Sequence, residues 1–420
     1  MEKIILKNGF TIYIDNLPNV HSFSIDLCIR AGSKYGKESV AGITHFLEHM
    51  HFRKLDNYSQ SELYYHMESI GSSLLAATYN DFLRFYTKIH PIYFADALDV
   101  FASILKTKQW NHLYVEEEKR VVINEINEHR VMNIDDLFQK VYFEGTPLSK
   151  AILGTEASVK RITGKQLASY KKEAFNVNNM ALFVSGPIQK SNLEQLENQL
   201  GSIDLPFGEK WTSNFKPKNF GNRNPNVTVV NQEWDLIDVD ITFDVDIQRI
   251  KLYEIDVLNC ILGGGIGSRL QMLLREKLGF VYDVSSFVEK YENFCLLRIQ
   301  YTIDSNLFYQ SYSALMQVLN QMKNDLNMRD LNTSLPFFTY NLNFNLDDTQ
   351  ENNFYNEYNV FVLNNNNYQC VMDYDEKSLH RLMNISNDLF KRENLSIICL
   401  GDCKDIEKNE IQNLSKVLNT

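Results

Sequence analysis

A chain of 420 residues is longer than one hydrophobic core sustains, so two domains of roughly 200 residues each are expected. Its 44% hydrophobic and 12% aromatic content excludes wholesale disorder, and 18 Gly with 8 Pro exclude a collagen-like chain. A net charge of -11, from 42 Lys+Arg against 53 Asp+Glu, sets the field of the whole molecule against nucleic acid and acidic membrane surfaces.

The N-terminus reads MEKIILKNGFTIYID, with charges inside its only apolar run. No run approaches the roughly 20 apolar residues a membrane span needs, so neither signal peptide nor anchor is expected. Cys28, Cys260, Cys295, Cys370, Cys399 and Cys403 are too scattered for a disulfide framework, which points to the cytoplasm. In SFSIDLCIRAG, the alternation of Ile25, Leu27 and Ile29 with polar neighbours predicts a half-buried strand.

Residues 41–50 follow, AGITHFLEHM, with His45, Glu48 and His49 in an H-x-x-E-H pattern. On a helix, residues four apart share a face, so two imidazoles can converge on one cation. Zinc suits them, since it takes imidazole nitrogen and, in catalytic sites, three protein ligands with a position left for water. Glu48 can face that water without ligating the metal, where a general base belongs. His51, two positions past His49, faces elsewhere. Leu63, Tyr64, Met67 and Ile70 then mark a helix stopped by Gly71, and SSLLAATY (72–79) reads as a strand.

From Val115 to Arg130 the pattern is helical again, and VEEEKRVVINEINEHR offers Glu118, Glu125 and Glu128 as sources of a third ligand. Glu118 and Glu125, seven apart, share a face. Alone this would be a solvated acidic surface, but the two upstream histidines reverse that weighting. A strand, NMALFVSG (179–186), and a helical pattern near 188–200 lead into a polar stretch, 205–226, that marks a domain break. Beyond it, Ile241, Phe243 and Val245 repeat the first strand at an offset of 216, and NLSIICLG (394–401) repeats NMALFVSG. Asn364–Asn367 reads as a loop. The repeats predict a duplicated α+β domain, 1–210 and 211–420.

These residues resemble the inverzincin, pitrilysin or M16, peptidases, whose signature is H-x-x-E-H with a Glu some seventy-five residues on; here 75 residues lie between His49 and Glu125. The resemblance implies His45, His49 and Glu125 as zinc ligands, Glu48 as the base, and Glu118 as a supporting acid behind the ligands. GGGIGSRLQMLLREKLGFVYDVSS (263–286) is similar to the family's Gly-rich segment and its Arg/Tyr pair, here Arg275 to hold the substrate backbone and Tyr282 to donate to the oxyanion. Overlaying AGITHFLEHM on GGIGSRLQMLL puts Ser268, Gln271 and Met272 at the motif positions, a poor zinc set.

The implied fold is two homologous α/β-sandwich domains of the LuxS/mitochondrial-processing-peptidase-like metallohydrolase type, forming half a clamshell. The implied activity is a cytoplasmic zinc (Zn2+) endopeptidase acting on short or unfolded peptides. The substrate would pair with the 72–79 strand at Leu75, Ala76 and Ala77. Leu75 stands where the family often has Asn, and His51, Phe52, Arg53, Lys54 and Leu55 replace the usual Gly-Thr after H-x-x-E-H-x-x-F-K, so the resemblance does not carry the family's peptide preference over. A homodimer, or a heterodimer with a related M16 subunit, is expected, with no nucleic acid and no membrane as partner. The alternatives are a leader-peptide maturation protease and a non-catalytic assembly subunit.

Overall fold

The computed structural model of the chain describes residues 1–56, 58–128, 131–213, 215–364 and 375–419. The last two positions of the expected 115–130 helix, most of the 364–367 tract and Cys370 lie outside the described residues.

The first half runs β1 (Glu2–Ile5), β2 (Thr11–Asn16), β3 (Phe23–Ile29), α1 (Ile43–Arg53), α2 (Gln60–Ser69), β4 (Leu75–Thr78), β5 (Leu83–Ile89), α3 (Phe94–Lys106), α4 (His112–Glu128), α5 (Ile134–Tyr142), α6 (Glu156–Arg161), α7 (Gly164–Ala174), β6 (Met180–Gly186) and α8 (Lys190–Gln199). The second half runs β7 (Asn226–Asn231), β8 (Leu236–Val245), α9 (Leu252–Leu262), a π-helical turn (Gln271–Lys277), β9 (Val284–Lys290), β10 (Cys295–Asp304), α10 (Phe308–Gln321), α11 (Met328–Leu346), α12 (Thr349–Phe361), α13 (Glu376–Leu389), β11 (Leu395–Gly401) and α14 (Lys408–Leu414). No helix among the described residues is long and apolar enough to cross a membrane.

One sheet has the order β1-β2-β6-β3-β5-β4 and the other β7-β11-β8-β10-β9. Apart from the added β1, the two are the same sheet. Their parallel pairs are β2 with β6 and β7 with β11, and the neighbouring strands run antiparallel. Leu27 sits between Phe85 and Leu182, and Ile241 sits between Ile299 and Ile397. The ladders therefore match Leu27 with Ile241, an offset of 214 and not the 216 read from the alternation. A slip of two residues leaves every side chain on its own face, so a period-two pattern cannot detect it.

Each sheet packs an apolar face against its own helices. In the first, Ile12, Ile25, Leu27, Leu182 and Val184 meet Phe46, Leu47 and Met50 of α1 and Leu98 and Phe101 of α3. The second repeats this with Val239, Ile241, Phe243 and Ile397 against α9 and α10. The compact units do not follow the sequence halves throughout. The first comprises Met1–Val131, Thr146–Ser213 and Phe344–Asn366, and the second Met132–Gly145, Asn214–Asn343 and Asn367–Thr420. Where the sequence suggests one boundary after residue 210, the units change over at Ser213 and also trade one helix each.

Helix α12, from the second half, lies on the other face of the first sheet, with Phe361 against Cys28, Phe82 and Phe183. Buried polar contacts fix it there: Asn353 donates to Asp26 at 2.7 Å, and Glu357 pairs with Arg84 at 3.2 Å, while Arg84 also binds Asp26. Helix α5, from the first half, is begun by Asn133, whose side chain accepts from the Asp136 amide, and lies on the second sheet. There Asp135 pairs with Arg298 at 2.7 Å, Arg298 reaches Asp240 at 3.0 Å, and the Phe138 ring lies 3.7 Å below the guanidinium. Asp26 and Arg84 match Asp240 and Arg298 at the same 214 offset, so the duplication kept a buried Asp–Arg pair that grips the borrowed helix.

Candidate metal centre

Helix α1 begins where two backbone segments nearly touch. Gly42, its N-cap, has φ +86°, and a Cβ there would lie 2.4 Å from the Leu153 carbonyl oxygen. Gly154, at φ +75°, would bring a Cβ to 2.3 Å from the Ala41 oxygen. Only glycine fits both demands. With its start pinned, α1 buries Phe46, Leu47 and Met50 in the core and turns His45 and His49 toward α4, which packs beside it.

The two imidazole rings are 4.5 Å apart, and Glu125 of α4 spans them: Oε1 lies 3.6 Å from His45 Nε2 and Oε2 lies 3.4 Å from His49 Nε2. Donors around a tetrahedral zinc at the usual bond lengths are about 3.3 Å apart. The trio also leaves Glu125 Oε2 buried without a hydrogen-bond partner, an electron pair directed at nothing but the imidazoles. Two nitrogens and one oxygen with that spacing fit zinc. Among the described residues, this is the one group of three such side chains close enough to hold a metal ion.

Burial and the neighbouring His49 hold His45 down at about 3, so it is neutral and able to ligate. Burial also lowers His49, but the hydrogen bond and charge of Glu118, with Glu125 and Glu48 near, outweigh it and the net direction is upward. Glu118, itself buried, faces His49 Nδ1 at 2.9 Å with one oxygen and takes Arg53 Nε at 2.6 Å with the other. A carboxylate on Nδ1 fixes the tautomer that presents Nε2 to a metal.

Glu48 lies beside the trio on α1. Burial raises its carboxyl above the ordinary range, opposed by a hydrogen bond from Thr78 Oγ1 at 2.5 Å. Leu75, Ala76 and Ala77 lie with Thr78 on β4, a four-residue edge strand paired, among the described residues, with β5 alone. Leu75 is exposed, and Ala76 and Ala77 are half-buried. His51 sits apart from the trio, its Nδ1 donating to the Leu47 carbonyl and its ring among Phe85, Trp110 and Phe175.

Arg275 and Tyr282 belong to the second unit. The Arg275 guanidinium lies 5.8 Å from the Tyr282 ring centre, and Tyr282 is 90% exposed, so it does no work in a core. Arg275 sits in the π-helical turn, where the Leu278 amide bonds back to the Leu273 carbonyl. The overlay of the metal motif on 264–274 does not survive: α1 is the first helix after β3, and its counterpart after β8 is α9, so Gln271 and Met272 fall in the counterpart of α2, with Ser268 just before it. Helix α9 contains no histidine.

The sequence reading missed Arg53 and Thr78. Arg53 is four residues past His49 and therefore on its face, a signal available from spacing. Thr78 carried none, since its partner is reached only once β4 lies against α1.

Residues 11–156 match the family described as insulinase, peptidase family M16, and residues 161–335 match the one described as the peptidase M16 inactive domain. An uncharacterized zinc protease of Rickettsia bellii is 30% identical over 294 residues, 68% of this chain and 69% of that protein. The uncharacterized zinc protease YmxG of Bacillus subtilis is 26% identical over 400 residues, 94% and 96% of the two chains. Among solved structures, a protease from Helicobacter pylori superposes with TM-score 0.82 at 18% identity, covering 95% of this chain and 98% of its own.

Proposed function

The chain belongs to peptidase family M16, and from that premise we propose that it is a zinc-dependent endopeptidase that hydrolyses short or unfolded peptides. The observation that carries the proposal is the convergence of His45, His49 and Glu125, with the Glu48 carboxylate beside them. Zinc bound to the trio would polarise the scissile carbonyl and lower the pKa of water toward roughly 7.

The chain's own groups do the rest. Glu48 takes the proton of the attacking water and returns it to the leaving amine, a role suited by a carboxyl that burial has pushed up. The free edge of β4 accepts the peptide as an added strand, which binds backbone and tolerates many side chains. Tyr282 donates to the developing oxyanion and Arg275 holds the substrate backbone. We place the protein in the cytoplasm, where Cys28, Cys295, Cys399 and Cys403, free thiols, stay reduced.

The test is a mixed peptide library incubated with the protein and read by mass spectrometry, with and without chelator. Cleavage that stops with the chelator and returns with zinc, at about one zinc per chain, is expected; chelator-resistant cleavage would refute the metal reading. Tyr282→Phe is expected to lower kcat by about one to three orders of magnitude. An unchanged kcat would remove Tyr282 from the oxyanion site.

A further inference from the structure

We infer that Thr78 is a positioning residue through which the edge strand β4 aims the Glu48 carboxylate; the inference rests on the peptidase reading above. Thr78 Oγ1 donates to Glu48 Oε2 at 2.5 Å, a contact from β4 of the first sheet to α1. A glutamate side chain has three rotatable bonds, and neighbouring charges alone do not select one orientation of its carboxylate. A hydroxyl held on a strand does.

The strand is also the one that would receive substrate. Residues along β4 alternate faces, which puts Ala76 and Thr78 together on the side that meets the core and α1, with Leu75 and Ala77 opposite. The backbone of β4 pairs with β5 from Leu75↔Tyr86 to Thr78↔Leu83 and leaves its other edge free. A peptide added to that edge hydrogen-bonds to alternate residues of the same strand that carries Thr78. The strand that would take the peptide is thus also the one that holds the base. Threonine is needed for its hydroxyl, while its β-branched shape suits the strand.

Thr78→Val keeps that shape and removes the donor. It is expected to lower kcat about 10- to 100-fold, with KM changed less than about threefold and with zinc content and thermal unfolding unchanged. Thr78→Ser, which restores the hydroxyl, is expected to recover activity to within about threefold of the parent. A Val variant with kcat within about twofold of the parent, or a Ser variant as impaired as Val, would overturn the inference. If the parent chain hydrolyses no peptide, the peptidase reading fails, and a crystal structure of Thr78→Val then decides the inference alone. Displacement of the Glu48 carboxylate supports it, and a carboxylate left in place overturns it.

Discussion

Glu48→Gln is expected to lower peptide hydrolysis by roughly 100- to 10,000-fold while the protein keeps its zinc. The amide has the shape of the carboxylate, and its oxygen can still accept from Thr78, so the side chain stays where it is. It has no proton affinity near neutral pH, and proton transfer from water to the leaving amine loses its carrier. The three proposed ligands are untouched. Replacing a buried carboxylate by a neutral amide also removes a desolvation cost, so the variant should unfold at no lower a temperature than the parent. Turnover by a zinc-loaded Gln variant at the parental rate would eliminate Glu48 as the base.

Arg84→Met is expected to destabilise the protein by about 3–5 kcal/mol. Arg84 is buried, binds Asp26, pairs with Glu357, and stacks 4.1 Å from the Tyr86 ring centre and 4.8 Å from that of Phe354. Asp26 and Glu357 are both fully buried. Methionine keeps much of the stem and removes the cation that faces the buried acids Asp26 and Glu357, which is the situation that makes breaking a buried pair costly. For a unit of this size the midpoint should fall by roughly 6–20 °C in a thermal melt.

The pH dependence separates charge from packing. Burial, followed by the charge of Asp26, already pushes Glu357 well above the ordinary carboxyl range, and Arg84 opposes that shift. A carboxyl whose folded pKa is raised favours the native state below its unfolded pKa, and that contribution is lost as pH rises toward the folded value. Without Arg84 the loss should therefore be larger at pH 8 than at pH 5. An equal loss at both would mean that only packing was removed.

The parts of the site written locally were legible. His45, Glu48 and His49 declare themselves because a helix turns a spacing of three and four into one face. Glu125 and Glu118 could be narrowed to one acidic helix face by spacing, and were separated only by resemblance. What could not be read was anything joining distant stretches through packing. Arg53 was visible as a neighbour of His49, but its partner Glu118 lies on another helix, and Thr78 meets Glu48 only in the folded sheet. The duplication was legible in outline from the strand repeats. Its register was not, because hydrophobic alternation repeats every two residues. The trading of α5 and α12 was hidden for a different reason, since strand repeats reveal which strands correspond and not which helix will cover them.

That trade sets a timetable for synthesis. The first sheet is complete in the chain by Gly186, yet the helix that covers Cys28, Phe82 and Phe183 ends at Phe361. At ribosomal rates of roughly 5–20 residues per second, the gap amounts to on the order of ten to thirty seconds. Through that interval the nascent N-terminal half carries an apolar surface and a guanidinium awaiting Glu357, a natural target for a holdase. Splitting the gene between the halves would make the wait permanent for either fragment made alone, and only co-expression would return to each the helix it lacks.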